Sequence, residues 1–516
     1  MRTTPDSTTR HRLTTPHKVL GSLAGIALFG AVFALGARVG GDRVRARDEW
    51  VGGQLLSTAI DSVQANALDS LPSDELIRRA VSGMLRELHD PYAALLRPDG
   101  YKTYRGSLLG EGQGMGLSLR RQGGVLSVRR VAQGSPAAKA GIHRGDRVLA
   151  WNGIPVSESR LRAGADSSRV QGDHTELLLW RAPLGDSIRV TVHRSTWHTP
   201  AVTESGLLSD SVGYVRLASI TQHAADELQG AVSSLTRRGA RSLVLDLRGN
   251  GGGLFEEGVN VAALFLPNNV VVASLAGRGG ATPQVYRAHG SRWPSMPLTV
   301  LVDAGTASAA EVIAAALREH DRALLVGAPT YGKGVVQRVV RLSPELSLRL
   351  TTARWLTPMG HSLARRQGSG SMATGGLLPD VLLDDAAWSD PSGVPREWPA
   401  ATITAVIAAA DSMALIGLRD EWTTTSVATL EARLRSELSK QIPRRFPSGI
   451  GPARWVGVAT RLATVRMLEV HGMDEALLRY AMREDDALRA GLEVLAPGLD
   501  AMRVIPSELA RAAPVR

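Results

Sequence analysis

The chain has 516 residues and no cysteine. Disulfides, thiolate nucleophiles and cysteine-ligated metals are therefore excluded, although an exported location is not. Aromatic residues make up only 4% of the chain, and no Lys/Arg run has aromatics interleaved with it. The formal charge of +11 thus reads as scattered, solvated arginine, and no nucleic-acid partner is expected. Lysine is scarcest among the charged residues: only Lys18, Lys102, Lys139, Lys333 and Lys440 occur. Arginine cannot give up its proton in a protein, whereas lysine can.

The amino terminus carries Arg2, Arg10, Arg12 and Lys18, followed by an uncharged stretch from Val19 to Ala37. As a helix that stretch is about 28 Å long, close to the ~30 Å hydrocarbon core of a bilayer. The basic flank should stay in the cytoplasm. An uncleaved anchor is expected; a cleaved signal peptide is the competing reading, and either exports the bulk of the chain.

Five regions follow. Residues 1–43 form the tail and anchor. Residues 44–108 read as helical, with Leu76, Ile77, Ala80, Val81, Met84, Leu85 and Leu88 at helical spacing after Pro72-Ser73, and Asp90-Pro91 ending the helix. Residues 109–195 hold short β-like runs between glycine-bearing turns, among them Gly124–Val131, Arg147–Trp151 and Ser187–His193. Residues 196–383 alternate strand and helix: Val212–Leu217, Ala224–Leu235, Ser242–Leu247, Leu254–Leu266, Leu298–Val302, Ala309–Arg318 and Ala323–Val326. That alternation predicts an α/β domain. Residues 384–516 suggest helices at Trp398–Leu415, Ser426–Ser439, Ala453–His471 and Asp474–Leu495, with no motif.

Within the third region, Gly134 to Gly153 resembles the central signature of PDZ domains: a short helix, a glycine turn, the Gly145-Asp146 corner and a strand ending at Asn152-Gly153. Upstream, Gly114-Met115-Gly116-Leu117 resembles the loop that cradles a peptide's terminal carboxylate. Glycines let consecutive N–H groups point at one anion, and the adjacent strand edge can pair with an extended peptide. The stretch Asp173–Asp186 is longer than that pattern expects.

Three segments carry chemistry. Leu245–Leu254 is a buried strand running into the glycine-rich turn Gly249–Gly253. Val302–Val312 is a strand followed by Ser308 at a helix start. Gly327–Gln337 holds Lys333 between Gly332 and Gly334. A hydroxyl at a helix start has unpaired N–H groups beside it to receive an oxyanion, and the Gly249–Gly253 turn could supply a second donor. Such a serine needs a base. No histidine lies in a recognisable catalytic setting, and no Gly-x-Ser-x-Gly elbow occurs. A lysine of ordinary pKa, about 10.4, is protonated at neutral pH, but burial lowers it, and the neutral amine then accepts the serine proton.

The order of these segments resembles the carboxyl-terminal processing peptidases, or tail-specific proteases, a family with a Ser-Lys dyad. Gly305–Glu311 is similar to the family's serine motif, with Ala310 where a second serine is usual, and Thr330–Gln337 matches its lysine motif throughout. Gly251 replaces a proline of the glycine-turn pattern. Gly213–Arg216, Thr357-Pro358-x-Gly360, Gly376–Asp380, Gly83–Leu85 and Asp90–Tyr92 also fit, so the resemblance covers roughly residues 50–383. It implies a fold of multidomain α/β type: membrane helix, helical segment, PDZ-like β-rich module, α/β core of the ClpP and crotonase-like type, and helical C-terminal extension. It also implies Ser308 as nucleophile, Lys333 as base, Gln337 orienting the lysine, and the N–H groups of Gly253 and Ala309 as oxyanion donors, with Gly252 the alternative to Gly253. The function implied is a serine endopeptidase that takes C-terminal tails of protein substrates through Gly114–Leu117. It would sit in a bacterial inner membrane by a single span, with the catalytic part on the periplasmic side. No metal or organic cofactor is implied.

Asp246 and Arg248 read as a structural pair at a strand end, and Glu311 as a first-turn partner of the helix dipole. Two look-alikes fail. Gly327-x-x-x-x-Gly332-Lys333 mimics a phosphate loop, but Gly334 stands where Ser or Thr must hold magnesium, and Val335–Leu342 reads as a strand. Gly249–Gly253 mimics a dinucleotide loop, but Leu254 occupies its last glycine position. The alternative function is a non-catalytic PDZ adaptor on a peptidase-like scaffold. The last helices could serve a second copy of the chain or a regulatory partner.

Overall fold

The computed structural model describes residues 42–495 apart from internal stretches, the longest being 157–172, 366–374, 384–397, 414–425 and 441–449. The expected span Val19–Ala37 lies outside the described residues. Among those described, no helix is long and apolar enough to cross a membrane. Residues up to Asp90 and residues from Pro91 onward form two compact units.

The first unit holds two helices, Asp42–Asn66 and Ser73–Glu87. The second starts after Pro72, with Asp74 and Glu75 in its first turn and Arg86 in its last, the charge order the helix dipole favours.

The second unit opens on strand β1 (Ala94–Leu96), inside the segment 44–108 that was read as helical with its helix ending at Asp90-Pro91. Pairing decides this strand: Ala94 lies opposite Arg349 and Leu96 opposite Ser347, so tertiary context overrides local propensity. A helix, Pro98–Leu109, follows, with proline in its first turn and Gly110 at φ 71 closing it.

Strand β2 (Glu111–Gly114) pairs with β9 (Ser195–His198), closing off the region between them. That region is a sheet in the order β3-β4-β5-β7-β8, with β6 on β5. Its strands are β3 (Leu117–Gln122), β4 (Val125–Val131), β5 (Arg147–Trp151), β6 (Ile154–Pro155), β7 (His174–Arg181) and β8 (Asp186–His193). Leu126, Val128, Ile142, Leu177, Leu179 and Val192 form its core. The Gly-Asp corner has a physical reason: Asp146 accepts the His143 N–H at 2.9 Å and receives the Arg181 guanidinium at 2.9 and 2.7 Å.

The next sheet runs β10-β11-β12-β15-β16-β19: β10 (Val202–Leu207), β11 (Val212–Leu217), β12 (Ser242–Asp246), β15 (Leu298–Val302), β16 (Leu324–Gly327) and β19 (Val381–Leu382). All pairs after β10 are parallel. Strands covered on both faces must be apolar throughout, and β15 (LTVLV) is buried at every position. Helices Ala224–Arg237, Phe255–Ala263 and Ala309–Glu319 pack into one core with this sheet. A second, antiparallel sheet joins β13 (Val271–Ala276), β14 (Gln284–Arg287), β17 (Val335–Arg341) and β18 (Ser347–Leu356) with β1.

The C-terminal helices are Val427–Ser439, Pro452–Val470, Asp474–Met482 and Asp486–Leu495. Leu488 and Leu495 of the last helix share a core with Val244, Leu301 and Val326 of the parallel sheet. The expected "extension" therefore supplies a covering layer of the α/β core.

A buried ion cluster stands where β12 ends. Asp246, 0% exposed, receives Arg248 at 3.0 Å (Nε) and 2.7 Å (Nη2), the Tyr214 hydroxyl at 2.8 Å and Arg216 at 3.4 Å. The Asp246–Arg248 pair expected from the sequence is thus present. Burial pushes the Asp246 carboxyl up, but the Arg248 charge and hydrogen bonds, with Arg216, outweigh burial and hold it below the ordinary carboxylate range. A carboxyl depressed in this way contributes stability that is complete above its unfolded value of about 3.9 and is lost as pH falls through the lower folded value. Urea unfolding of wild type and Asp246→Asn across acid pH should show a stability gap that is constant at neutral pH and narrows below about pH 4. A gap unchanged down to about pH 2 contradicts this account of the cluster.

Candidate active site

The three chemistry-bearing segments meet because each leaves the carboxyl end of one of three neighbouring parallel strands, β12, β15 and β16. That edge of an open α/β sheet is where ligands bind. The turn after β12 and the turn after β15 are stitched together. Asp303 accepts the N–H groups of Gly249 at 2.8 Å and Gly305 at 2.9 Å. The Asn250 carbonyl accepts the Ala307 N–H at 2.9 Å. The Thr306 hydroxyl donates to the Leu247 carbonyl at 2.9 Å.

Ser308 precedes the helix Ala309–Glu319 with φ 57 and ψ −121. For a residue with a side chain that is a strained conformation, costing on the order of 1–3 kcal/mol, and it persists only where neighbours over-determine it. Glu311, completely buried, provides that restraint. Its Oε2 accepts the Ser308 N–H at 2.8 Å and the Lys333 N–H at 2.8 Å. Its Oε1 accepts the Thr330 hydroxyl at 2.6 Å and the Gly332 N–H at 2.7 Å. Two donors on one oxygen put the main-chain nitrogens of Ser308 and Lys333 no further apart than two hydrogen-bond lengths. Glu311 is thus a strut between the two segments, beyond the dipole role read from the sequence. Its third place after Ser308 was a signal for it, as in a capping box.

Lys333 is half-buried. Its carbonyl accepts the indole N–H of the buried Trp355 at 2.9 Å, so its main chain is held on both sides. Its Nζ lies 5.0 Å from the centroid of the Tyr92 ring. The Tyr92 carbonyl accepts Arg349 Nε at 3.0 Å. Burial pushes the Tyr92 phenol up to about 12, assisted by its hydrogen bond to Tyr331, so the ring faces the amine as a neutral group. Gln337 follows a register break in β17, between Val336 and Gln337. Its side-chain Nε2 is buried with no hydrogen-bond partner among the described residues.

The glycine turn closes in on the serine. A Cβ on Gly252, at φ 88, would lie 2.6 Å from the Ala307 carbonyl oxygen, 2.8 Å from Ser308 Cβ and 2.9 Å from the Ala309 nitrogen. The Asn250 side chain, itself donating to the Leu217 carbonyl at 2.7 Å, takes the Gly252 N–H at 2.9 Å. Gly252 is therefore committed. Among the described residues, the N–H groups of Gly253 and Ala309 have no acceptor. Asn250, Trp355 and Tyr92 had no assigned role in the sequence reading.

In the PDZ-like sheet, Met115 is fully buried and its carbonyl accepts the Ala137 N–H at 2.9 Å. Gly116 packs against Ser135, with no room for a Cβ. Leu117 begins β3, the end strand of the sheet. Gly114 ends β2, paired with Ser195. The stretch 157–172, between β6 and β7, lies outside the described residues.

Residues 211–382 match peptidase family S41, and residues 127–181 match the PDZ domain. The chain is 31% identical over 312 residues to the carboxy-terminal processing protease CtpA of Bacillus subtilis (strain 168), covering 60% of this chain and 66% of that protein, just under two thirds of its length. It is 35% identical over 309 residues to the carboxyl-terminal-processing protease of Picosynechococcus sp., covering 59% of this chain and 72% of that one. The solved structure of the photosystem II D1 C-terminal processing protease aligns with 29% identity over 64% of this chain and 92% of that one, with a TM-score of 0.38.

Two substitutions test the geometry. Glu311→Ala strands several buried donors at about 1–3 kcal/mol each, so unfolding free energy should fall by at least about 3 kcal/mol; a loss under about 1 kcal/mol contradicts the strut. Gly252→Ala should cost about 1–3 kcal/mol through steric overlap and positive φ; wild-type stability in urea contradicts that close approach.

Proposed function

The chain belongs to the carboxyl-terminal processing proteases of peptidase family S41, and on that premise we propose that it is a serine endopeptidase in which Ser308 is the nucleophile and Lys333 the base. The observation that carries the reading is the shared Glu311 oxygen, to which the Ser308 and Lys333 main chains both donate at 2.8 Å.

In this reading Lys333 Nζ, in its neutral form, takes the Ser308 Oγ proton as Oγ bonds to the peptide carbonyl carbon. The oxyanion receives the N–H groups of Gly253 and Ala309, which have no protein acceptor among the described residues. The intermediate collapses by breaking the C–N bond, and the Lys333 ammonium returns its proton to the leaving amine. Water then attacks the acyl-enzyme, its proton passing to Lys333 and on to Ser308 as the ester bond breaks. Gln337 orients the lysine through its side-chain amide. Trp355 and Glu311 hold the lysine's main chain.

Substrates are proteins with accessible C-terminal tails. Gly114, Met115, Gly116 and Leu117 receive the tail's carboxylate, and the edge of β3 pairs with the extended chain. A span over Val19–Ala37 holds the protein in a bacterial inner membrane, with the catalytic part on the periplasmic side. The charge order of the amino terminus supports that orientation.

The test is cleavage of a model protein with an apolar C-terminal tail, free or amidated. Ser308→Ala and Lys333→Arg should each abolish cleavage, the second because a guanidinium cannot accept the proton. Amidation of the tail should slow the wild type. Cleavage by Lys333→Arg at the wild-type rate rejects the base assignment, and indifference to amidation rejects the tail-binding role.

A further inference from the structure

Arg248 immediately precedes the Gly249–Gly253 turn, and its side chain is 1% exposed. It is gripped from two directions. Asp246, two residues earlier, takes Nε and Nη2. Asp485, 237 residues later, takes Nη1 at 2.9 Å and Nη2 at 2.8 Å. A fork held by two carboxylates has a fixed plane and direction. The Arg248 carbonyl in turn accepts Arg216 Nη2 at 3.1 Å, and the next N–H, that of Gly249, is the one bonded to Asp303. The guanidinium, the start of the turn and the Ser308 segment are therefore mechanically continuous.

Asp485 is itself well anchored. Its Oδ1 accepts the Leu488 N–H at 3.0 Å, and its carbonyl accepts the Arg489 N–H at 2.9 Å. The helix it opens lies tightly on the sheet: a Cβ on Gly491 would stand 3.1 Å from a Leu301 methyl and 3.4 Å from that of Thr299. Charge argues the same way. Arg216 and Arg248 both meet Asp246, and Asp485 is a second carboxylate on Arg248. Glu204, also beside them, is the poorer counter-charge because burial pushes its carboxyl up. Without Asp485 the buried Arg248 guanidinium loses one of the two carboxylates that grip it, and removing one partner of a buried ion pair is strongly destabilising. The family match ends at residue 382, so this contact comes from outside the matched segment.

We propose that Asp485 is a positioning residue for peptide hydrolysis: through Arg248 it sets the Gly249–Gly253 turn, so that the C-terminal helices complete the peptidase site. The proposal rests on the reading of Gly253 and Ala309 as oxyanion donors. It gives Asp485, at the start of the helix Asp486–Leu495, a part in holding the site.

The test uses the full chain with Asp485→Asn, Asp485→Glu, Arg248→Lys and, as a packing control in the same helix, Leu495→Ala. Folding is followed by circular dichroism, steady-state kinetics with a peptide substrate, and transition-state binding with a peptide boronate. Asp485→Asn and Arg248→Lys should lower kcat about ten- to a hundredfold, less than the 10²–10³ lost with an oxyanion donor itself. KM should change little, and boronate affinity should fall in step with kcat. Asp485→Glu, which keeps the charge, should recover most of the loss. Leu495→Ala should lower Tm while keeping kcat. Unchanged kcat and boronate affinity in folded Asp485→Asn overturns the proposal, as does a kcat loss in Leu495→Ala as large as that in Asp485→Asn. Ser308→Ala in the same assay separates the two readings: if it still cleaves, the site assignment has failed, whereas an inert Ser308→Ala beside a fully active Asp485→Asn rejects the positioning role alone.

Discussion

One buried carboxylate organises this molecule. Glu311 accepts four hydrogen bonds, from Ser308, Thr330, Gly332 and Lys333. An ionised carboxylate has room for about four donors, so its capacity is filled, and this offsets the cost of taking a charge out of water. The interaction serves two purposes. It compensates the strained backbone at Ser308, and it fixes the distance between two chain segments that leave different strands. Side-chain chemistry between a hydroxyl and an amine depends on placement to within a fraction of an ångström. Here main-chain bonds to Glu311 set the placement of the two segments.

The remaining contacts keep that strut in register. Asp303, Asn250 and Thr306 tie the glycine turn to the serine turn. Trp355 holds the lysine carbonyl from the second sheet. Thr330 is a shared node, its hydroxyl donating to Glu311 while accepting the Leu377 N–H at 2.7 Å. Asp485, just before the last helix, grips Arg248, the residue that precedes this turn. The site is built at the junction of the parallel sheet, the antiparallel sheet and the C-terminal layer, and none of these alone holds all of its residues. The PDZ-like sheet belongs to the same compact unit.

Much of this was legible in the residues. The apolar strands Val212–Leu217, Ser242–Asp246 and Leu298–Val302 announced themselves by unbroken hydrophobic runs, and the glycine, serine and lysine segments fell at or near strand ends where chemistry collects. Val427–Ser439 and Pro452–Val470 followed helical spacing closely. What could not be read was tertiary. Ser-x-x-Glu after a strand signals a cap, but nothing local says that the same carboxylate also binds Thr330, Gly332 and Lys333 from a later segment. Ala94–Leu96 is strand only because Ser347–Arg349 offers it an edge. Arg248 and Asp485 are separated by 237 residues, and a lone Asp at a helix start reads as an ordinary cap. Val427–Ser439 and Pro452–Val470 were legible as helices, but the expected helix Asp474–Leu495 is two, Asp474–Met482 and Asp486–Leu495, and the last one's seat on the sheet could not be read, because Leu488 and Leu495 carry no mark of which surface they cover.

The most direct test of the Ser308–Lys333 assignment is to treat the intact protein with a fluorophosphonate probe and to map the modified residue by mass spectrometry, in wild type and in Lys333→Arg. A single adduct on Ser308 in the wild type, formed far more slowly when the amine is replaced, is the result this account requires. An adduct on another serine, or labelling of Ser308 at an unchanged rate in Lys333→Arg, would contradict it.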